Sequence, residues 1–101
     1  MFQTIVKRDG REVPYDISKI ERAVDKAMQA CGRNNPEESR RIAELVEQRL
    51  QSQFTGATPG IENIQDTVET ILMENGYAFV SKKYILYRAE RNRAREMNSR
   101  L

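Results

Sequence analysis

Three cations stand close together near the start of this chain, in TIVKRDGREVPYDISKI, residues 4–20. Lys7 and Arg8 directly precede an Asp9-Gly10 pair, and Lys19 follows a short way on. Residues of this kind suit one chemistry above others, the holding of an anion with several charges, provided that they face a common point. A triphosphate carries about four negative charges near neutral pH, and each charge-assisted contact contributes only about 1.5–3 kcal/mol net, so several donors must converge on it. Arg88 and Arg91, far along the chain, would raise the set to five if the last helix packs against this first segment. The alternative is that Lys7, Arg8 and Lys19 merely solvate a small sheet and helix, and that the arginines line an exposed helix end. Which holds depends on the elements that carry them.

Other chemistries are largely removed by composition. The chain has no histidine, so the commonest general base and most nucleophilic triads are absent, and a zinc site is implausible. Its one cysteine, Cys31, excludes an internal disulfide and reads as a small core residue. Glu12 and Asp16 are better explained as a cross-strand partner and a helix cap than as a catalytic carboxylate pair.

The positioning elements follow from turn chemistry and periodicity. Residues 4–15 read as a hairpin closed by Asp9-Gly10 in a two-residue type I′ turn, which sets Arg8 opposite Arg11, Lys7 opposite Glu12 and Val6 opposite Val13. Val6, Val13 and Tyr15 then share the buried face. Pro14 places its strand at an edge. Asp16 caps a helix from about Ile17 to Cys31, with Ile20, Ala23, Val24, Ala27 and Met28 as its stripe, and the free N–H groups of its first turn, beside Lys19, favour an anion. A cation in that first turn is mildly unfavourable for the helix dipole, so a ligand explains Lys19 slightly better than helix stability does.

A second helix starts at Asn35-Pro36 and buries Ile42, Leu45, Val46, Leu50 and Phe54. Thr58-Pro59 opens a third, with Ile61, Ile64, Val68, Ile71 and Leu72 inward, and Asn75-Gly76 stops it. The fourth, from about Tyr77, carries Val80, Tyr84 and Tyr87 on one side, then Arg88, Arg91 and Arg95 on the same side. Tyr84 and Tyr87 read as core residues rather than base-stacking platforms. A stripe that turns from aromatic to arginine either leaves the core or borders an anion. The fold class is therefore α+β, mostly α, with a small β-hairpin covering a four-helix bundle.

One hundred and one residues suit one domain, and 39% hydrophobic with 32% charged residues fits a soluble, helix-rich one. Charge is segregated: residues 82–101 hold seven cations against two acids, whereas residues 36–75 hold eight acids against three arginines. There is no apolar run long enough for a membrane span and no signal-peptide pattern at the N-terminus, so a cytoplasmic protein without membrane partners is expected. Helical sequence running to Leu101 without a clear stop reads as a piece of a longer chain.

The motif V-K-R-D-G-R-x-V-x-Y-D-x-x-K-I, residues 6–20, resembles the opening signature of the ATP-cone, the nucleotide-sensing domain at the N-terminus of many ribonucleotide reductases. The likeness continues through G-I-E-N-I-Q-D-T-V-E-T-I-L, residues 60–72, and K-K-Y-I-L-Y-R-A-E-R-N-R-A-R-E-M-N, residues 82–98. It implies a nucleotide-binding domain over residues 1–90 and a helical extension over 91–101 that leads to a catalytic body, most similar to the anaerobic glycyl-radical class. It implies ATP or dATP as allosteric effector, with Mg2+ on the phosphates and no metal ligand from the protein.

The resemblance also implies roles for particular residues. Ile5 and Val6 lie beside adenine, Lys7 and Arg8 at the phosphates, and Asp9 and Gly10 in the hairpin that covers the nucleotide. Val13, Asp16 and Lys19 form a second contact run, with Lys19 on the phosphates. Ile61 and Gln65 line base and ribose, and Arg91 is a basic ligand with Arg88 one turn earlier. The chain itself would not be an enzyme but a regulatory part of an oxidoreductase that ATP activates and dATP inhibits, with homo-oligomers forming through cone contacts. Two alternatives are the cone of a nucleotide-responsive transcriptional repressor, which would lack here the zinc ribbon's cysteine pairs, and a ligand-free helical interaction module. Nucleic acid is thus not an expected partner.

Overall fold

A computed structural model describes residues 2–99, with side chains through residue 97. Of the extension expected over 91–101, residues 100 and 101 therefore lie outside the described residues. The order is β1 (Thr4–Val6), β2 (Glu12–Pro14), α1 (Ile17–Ala30), α2 (Pro36–Gln53), α3 (Ile61–Glu74) and α4 (Ala78–Ser99). This is the expected class, a two-stranded antiparallel hairpin with four helices. No helix among the described residues is long and apolar enough to cross a membrane.

The hairpin differs from the sequence expectation in its register. Ile5 pairs with Val13 and Val6 with Glu12, one residue away from the pairing a two-residue turn would impose. The Lys7 carbonyl accepts from Gly10 N at 2.9 Å, and the Arg11 carbonyl accepts from Lys7 N at 2.8 Å, so Arg8, Asp9 and Gly10 form a three-residue loop. Within this loop only Gly10 adopts positive φ, at 87°, and no residue type but glycine does so in the described chain. A type I′ turn would need the left-handed conformation at Asp9 as well, whereas a type I turn followed by one left-handed glycine needs it once. The Asp9 carboxylate adds to the preference by accepting from Arg11 N at 3.1 Å and Arg11 Nε at 2.7 Å.

Because side chains alternate along a strand, the slip changes which residues face inward. Ile5, Val13 and Tyr15 now share the inner face, together with Lys7. Ile5 is buried, while Val6 is only half-buried on the opposite face with Arg8. Tyr15 anchors that face through its hydroxyl, which donates to Glu47 of α2 at 2.7 Å, and through edge-on contact with Phe2.

The helices begin and end where small local signals place them. Asp16 accepts from Ser18 N and Asn35 from Glu38 N, which caps α1 and α2. Thr58-Pro59 does not open the third helix. Gly60 is its N-cap, and the preceding backbone is used instead to hold the hairpin: Val6 N donates to the Pro59 carbonyl at 3.0 Å and Val6 bridges Gly60 in parallel. Asn63 Oδ1 accepts from Gly60 N at 2.8 Å and fixes this junction.

The helices pack in a ring, α1 against α2 and α4, and α3 against α2 and α4. Val24, Met28, Ile42, Val46, Leu50, Val68, Leu72 and Val80 are essentially inaccessible at its centre. Cys31 is half-buried against this core.

Two expectations follow. Gly10→Val should lower stability by about 1–3 kcal/mol, because open space surrounds the position and only the left-handed backbone resists a side chain. Denaturant unfolding at the wild-type midpoint would show that the loop tolerates another conformation. The second concerns Glu38, whose carboxylate is held down at about 2 by Arg41 first and the Tyr77 hydroxyl second. A depressed carboxylate contributes stability that is present above its unfolded value, near 4.5, and lost as pH falls through the folded value. Urea midpoints should therefore fall between about pH 5 and pH 2, and Glu38→Gln should flatten that fall.

Candidate functional site: a cationic cavity under the hairpin

The inner face of the hairpin, the start of α1, the first half of α3 and the middle of α4 enclose a cavity of about 180 Å³. Its inner part is apolar, formed by Ile5, Val13, Ile20, Ile64 and Tyr84, and its rim is cationic, with Lys7, Lys19, Arg88, Arg91 and Arg95. An outer cleft of about 580 Å³ shares Lys7, Asn92 and Arg95 with it and adds Arg8, Asp9, Arg11 and Glu96. An apolar interior with a positive mouth matches a ligand that is flat and apolar at one end and anionic at the other.

The cations fall into two groups. Arg88 is committed within the protein: its guanidinium, 15% exposed, donates to Asp66 at 2.9 Å, Glu69 at 2.8 Å and Glu62 at 3.2 Å. Arg8 likewise donates to Glu62, at 2.7 Å. Lys7, Lys19, Arg91 and Arg95 form no ion pair among the described residues. The Lys7 ammonium is consequently held below its ordinary value, by burial first and then by repulsion from Arg95, Lys19, Arg11 and Arg91. These side chains come from the hairpin, α1 and α4 and line the same cavity.

Most of the residues singled out from sequence meet here. Ile5, Lys7, Val13, Asp16, Lys19, Ile61, Gln65, Arg88 and Arg91 all line the inner cavity. Arg8 and Asp9 lie in the outer cleft, Val6 faces the other side of the hairpin, and Gly10 serves the turn. The N–H groups expected to be free at the start of α1 are partly taken, since Ser18 N donates to the Asp16 carboxylate and Lys19 N to the Asp16 carbonyl. The Asp16 carboxylate is held below its usual range chiefly by the Ser18 hydroxyl and amide.

Gln65 adds a distinct signal. Its Oε1 is buried beside the cavity with no hydrogen-bond partner among the described residues, an expensive arrangement for a polar atom. The arginine stripe of α4 proves to border the cavity, and Tyr87 stands between Arg91, 5.9 Å from its ring centre, and Lys26, 5.8 Å away. Sequence reasoning left Tyr15, Asn92 and Arg95 out of the site. Arg95 was within reach as the next member of the Arg88, Arg91 stripe. Tyr15 and Asn92 carried no distinguishing signal. No cluster of acidic, histidine or cysteine residues that could hold a metal occurs among the described residues.

The model of the ATP cone domain family matches residues 3–93. The chain belongs to the ATP-cone family. Its relatives include a vitamin B12-dependent ribonucleoside-diphosphate reductase of Thermoplasma acidophilum, 39% identical over 95% of this chain and 13% of the relative. An anaerobic ribonucleoside-triphosphate reductase of Salmonella typhimurium is 32% identical over 100% of this chain and 14% of that protein. A ribonucleoside-diphosphate reductase subunit alpha of Chlamydia pneumoniae is 37% identical over 90% of this chain and 9% of that protein. The chain thus spans about one seventh of the length of the first two. Anaerobic enzymes are among the relatives, as the resemblance implied, beside B12-dependent ones. As an ATP-cone domain the chain is a regulatory domain for nucleotide effectors.

Arg88 separates structural from ligand roles. Arg88→Ala should lower unfolding stability without any nucleotide by about 1.5–3 kcal/mol, because it removes the cation that ties α4 to three carboxylates on α3, two of them largely exposed. The same substitution at Arg91 should leave the melting temperature nearly unchanged. Equal melting of all three proteins would remove Arg88 from the anchoring of α4.

Proposed function

We propose that this ATP-cone domain binds ATP and dATP in the cavity under the hairpin and sets the overall activity of a ribonucleotide reductase of which it forms part. In this reading ATP permits activity and dATP shuts it off. The observation that carries the reading is the convergence of Lys7, Lys19, Arg91 and Arg95, none of them in an ion pair among the described residues, beside an apolar recess. The recess takes the base, between Ile5 and Val13 on one side and Ile61 on the other. The rim takes the triphosphate, with Mg2+ carried by the phosphates themselves. Gln65 Oε1 offers an acceptor to a base amine or a ribose hydroxyl. Arg88, already satisfied by α3, orients the helix that presents Arg91 rather than gripping phosphate. The far end of α4 leads toward the catalytic body.

ATP and dATP differ by one ribose hydroxyl, so opposite effects require different affinities for two arrangements of the domain or its assembly. Titration calorimetry with each nucleotide tests the binding step. Lys19→Ala should weaken both by roughly 10-fold or more, the equivalent of one charge-assisted contact of about 1.5–3 kcal/mol, while the fold melts normally. Wild-type affinity in that variant would take Lys19 out of the phosphate site.

A further inference from the structure

Glu62 occupies an unusual place between the site and its supports. It lies in the first turn of α3, where a carboxylate is favoured by the helix dipole whatever its neighbours. The dipole does not account for the rest of its environment. One carboxylate oxygen accepts from Arg8 of the hairpin at 2.7 Å, and the other accepts from Arg88 of α4 at 3.2 Å. Arg88 has two further carboxylates, Asp66 and Glu69, and does not depend on Glu62. Arg8 has Glu62 alone among the described ion pairs.

Arg8 also lines the outer cleft, which joins the inner cavity through Lys7, Asn92 and Arg95. A phosphate chain that passes Lys7 on its way outward enters the cleft that contains Arg8. Its terminal phosphate then meets a cation already held by a carboxylate. Two anions of like charge beside one guanidinium repel each other, and the pair on the protein is the exposed and easily broken one.

Resting on the nucleotide-binding reading above, we infer that Glu62 stands in for the terminal phosphate: it holds Arg8 in this structure and yields it to a triphosphate, so that Arg8 and Glu62 together set the preference for triphosphate over diphosphate. A diphosphate ends short of the outer cleft and leaves the Arg8–Glu62 pair intact. The exchange also moves a negative charge relative to Arg88, which ties occupancy of the cleft to the anchoring of α4.

Calorimetry of ATP and ADP binding to the wild type, Glu62→Gln, Arg8→Ala and the double variant tests this. Glu62→Gln should bind ATP about two- to fivefold tighter, the range expected for loss of one exposed competing ion pair, with ADP affinity unchanged. Arg8→Ala should lower ATP affinity toward that of ADP, and in that background Glu62→Gln should have no further effect. Equal gains for ATP and ADP would mean that Glu62 acts only through its long-range field, and would overturn the inference. Weaker ATP binding by Glu62→Gln would mean that Glu62 orients Arg8 for phosphate, and would overturn it as well. So would an unchanged ATP affinity. Failure of the wild type to bind either nucleotide would instead overturn the site reading itself.

Discussion

Keeping Lys7, Lys19, Arg91 and Arg95 around one recess is the constraint that the packing of this domain meets. Cations from three separate elements face one recess, and Lys7, half-buried there, loses part of its hydration. The hairpin is held in place by backbone bonds to Pro59 and Gly60, by Ile5 in the core and by Tyr15 on Glu47. Helix α4 is held by Val80 and Tyr84 in the core and by Arg88 on the acidic face of α3. Arg88 loses most of its hydration, and three carboxylates replace what water supplied. The acidic middle of the sequence thus fixes the basic helix in place, at the turn before its cations reach the cavity.

The four helices were legible because each had a periodic apolar stripe, and for the first two the end signals agreed with it. The hairpin was legible as an element but not in register. Asp-Gly fits a two-residue turn and also the last two positions of a three-residue loop, and Gly10 adopts positive φ in both. The deciding features, the Asp9 carboxylate on Arg11 and the fit of Ile5 rather than Val6 into the core, are tertiary or nearly so. A one-residue difference then decides that Lys7 lines the inner cavity and Arg8 only the outer cleft. Pro59 misled for a related reason. Proline often begins helices, but here its carbonyl is needed by β1, and a Cβ at Gly60 would come to 3.3 Å from Asn63 Oδ1, the acceptor that fixes this junction.

The candidate site was legible in its residue types more than in their division of labour. Nine of the residues singled out line one cavity, because the cations and the apolar positions sit on elements whose packing follows from their stripes. Arg88 could not be distinguished from Arg91 by its own spacing. The distinguishing signal lay on the partner helix, where Glu62, Asp66 and Glu69 recur at i, i+4 and i+7 and form one acidic face. An arginine opposite three acids is an anchor; an arginine opposite none is available to a ligand. Gln65 shows the opposite limit, since nothing in a sequence reveals that one amide oxygen will be buried without a partner.

The proposed regulation sets a demand on this balance. A single ribose hydroxyl contributes about 0.5–1.5 kcal/mol through a hydrogen bond, roughly a tenfold change in affinity or less. Moving a two-state equilibrium from 1:99 to 99:1 requires a preference of about 10⁴-fold. One hydroxyl in one domain therefore cannot reverse a strongly biased equilibrium. It suffices only where the two arrangements are already close in free energy, or where several copies of the site act on one assembly. In the proposed reading, phosphate bound among Lys7, Lys19 and Arg91 would offset their like charge whichever nucleotide carried it. The hydroxyl then has only to tip the difference that remains.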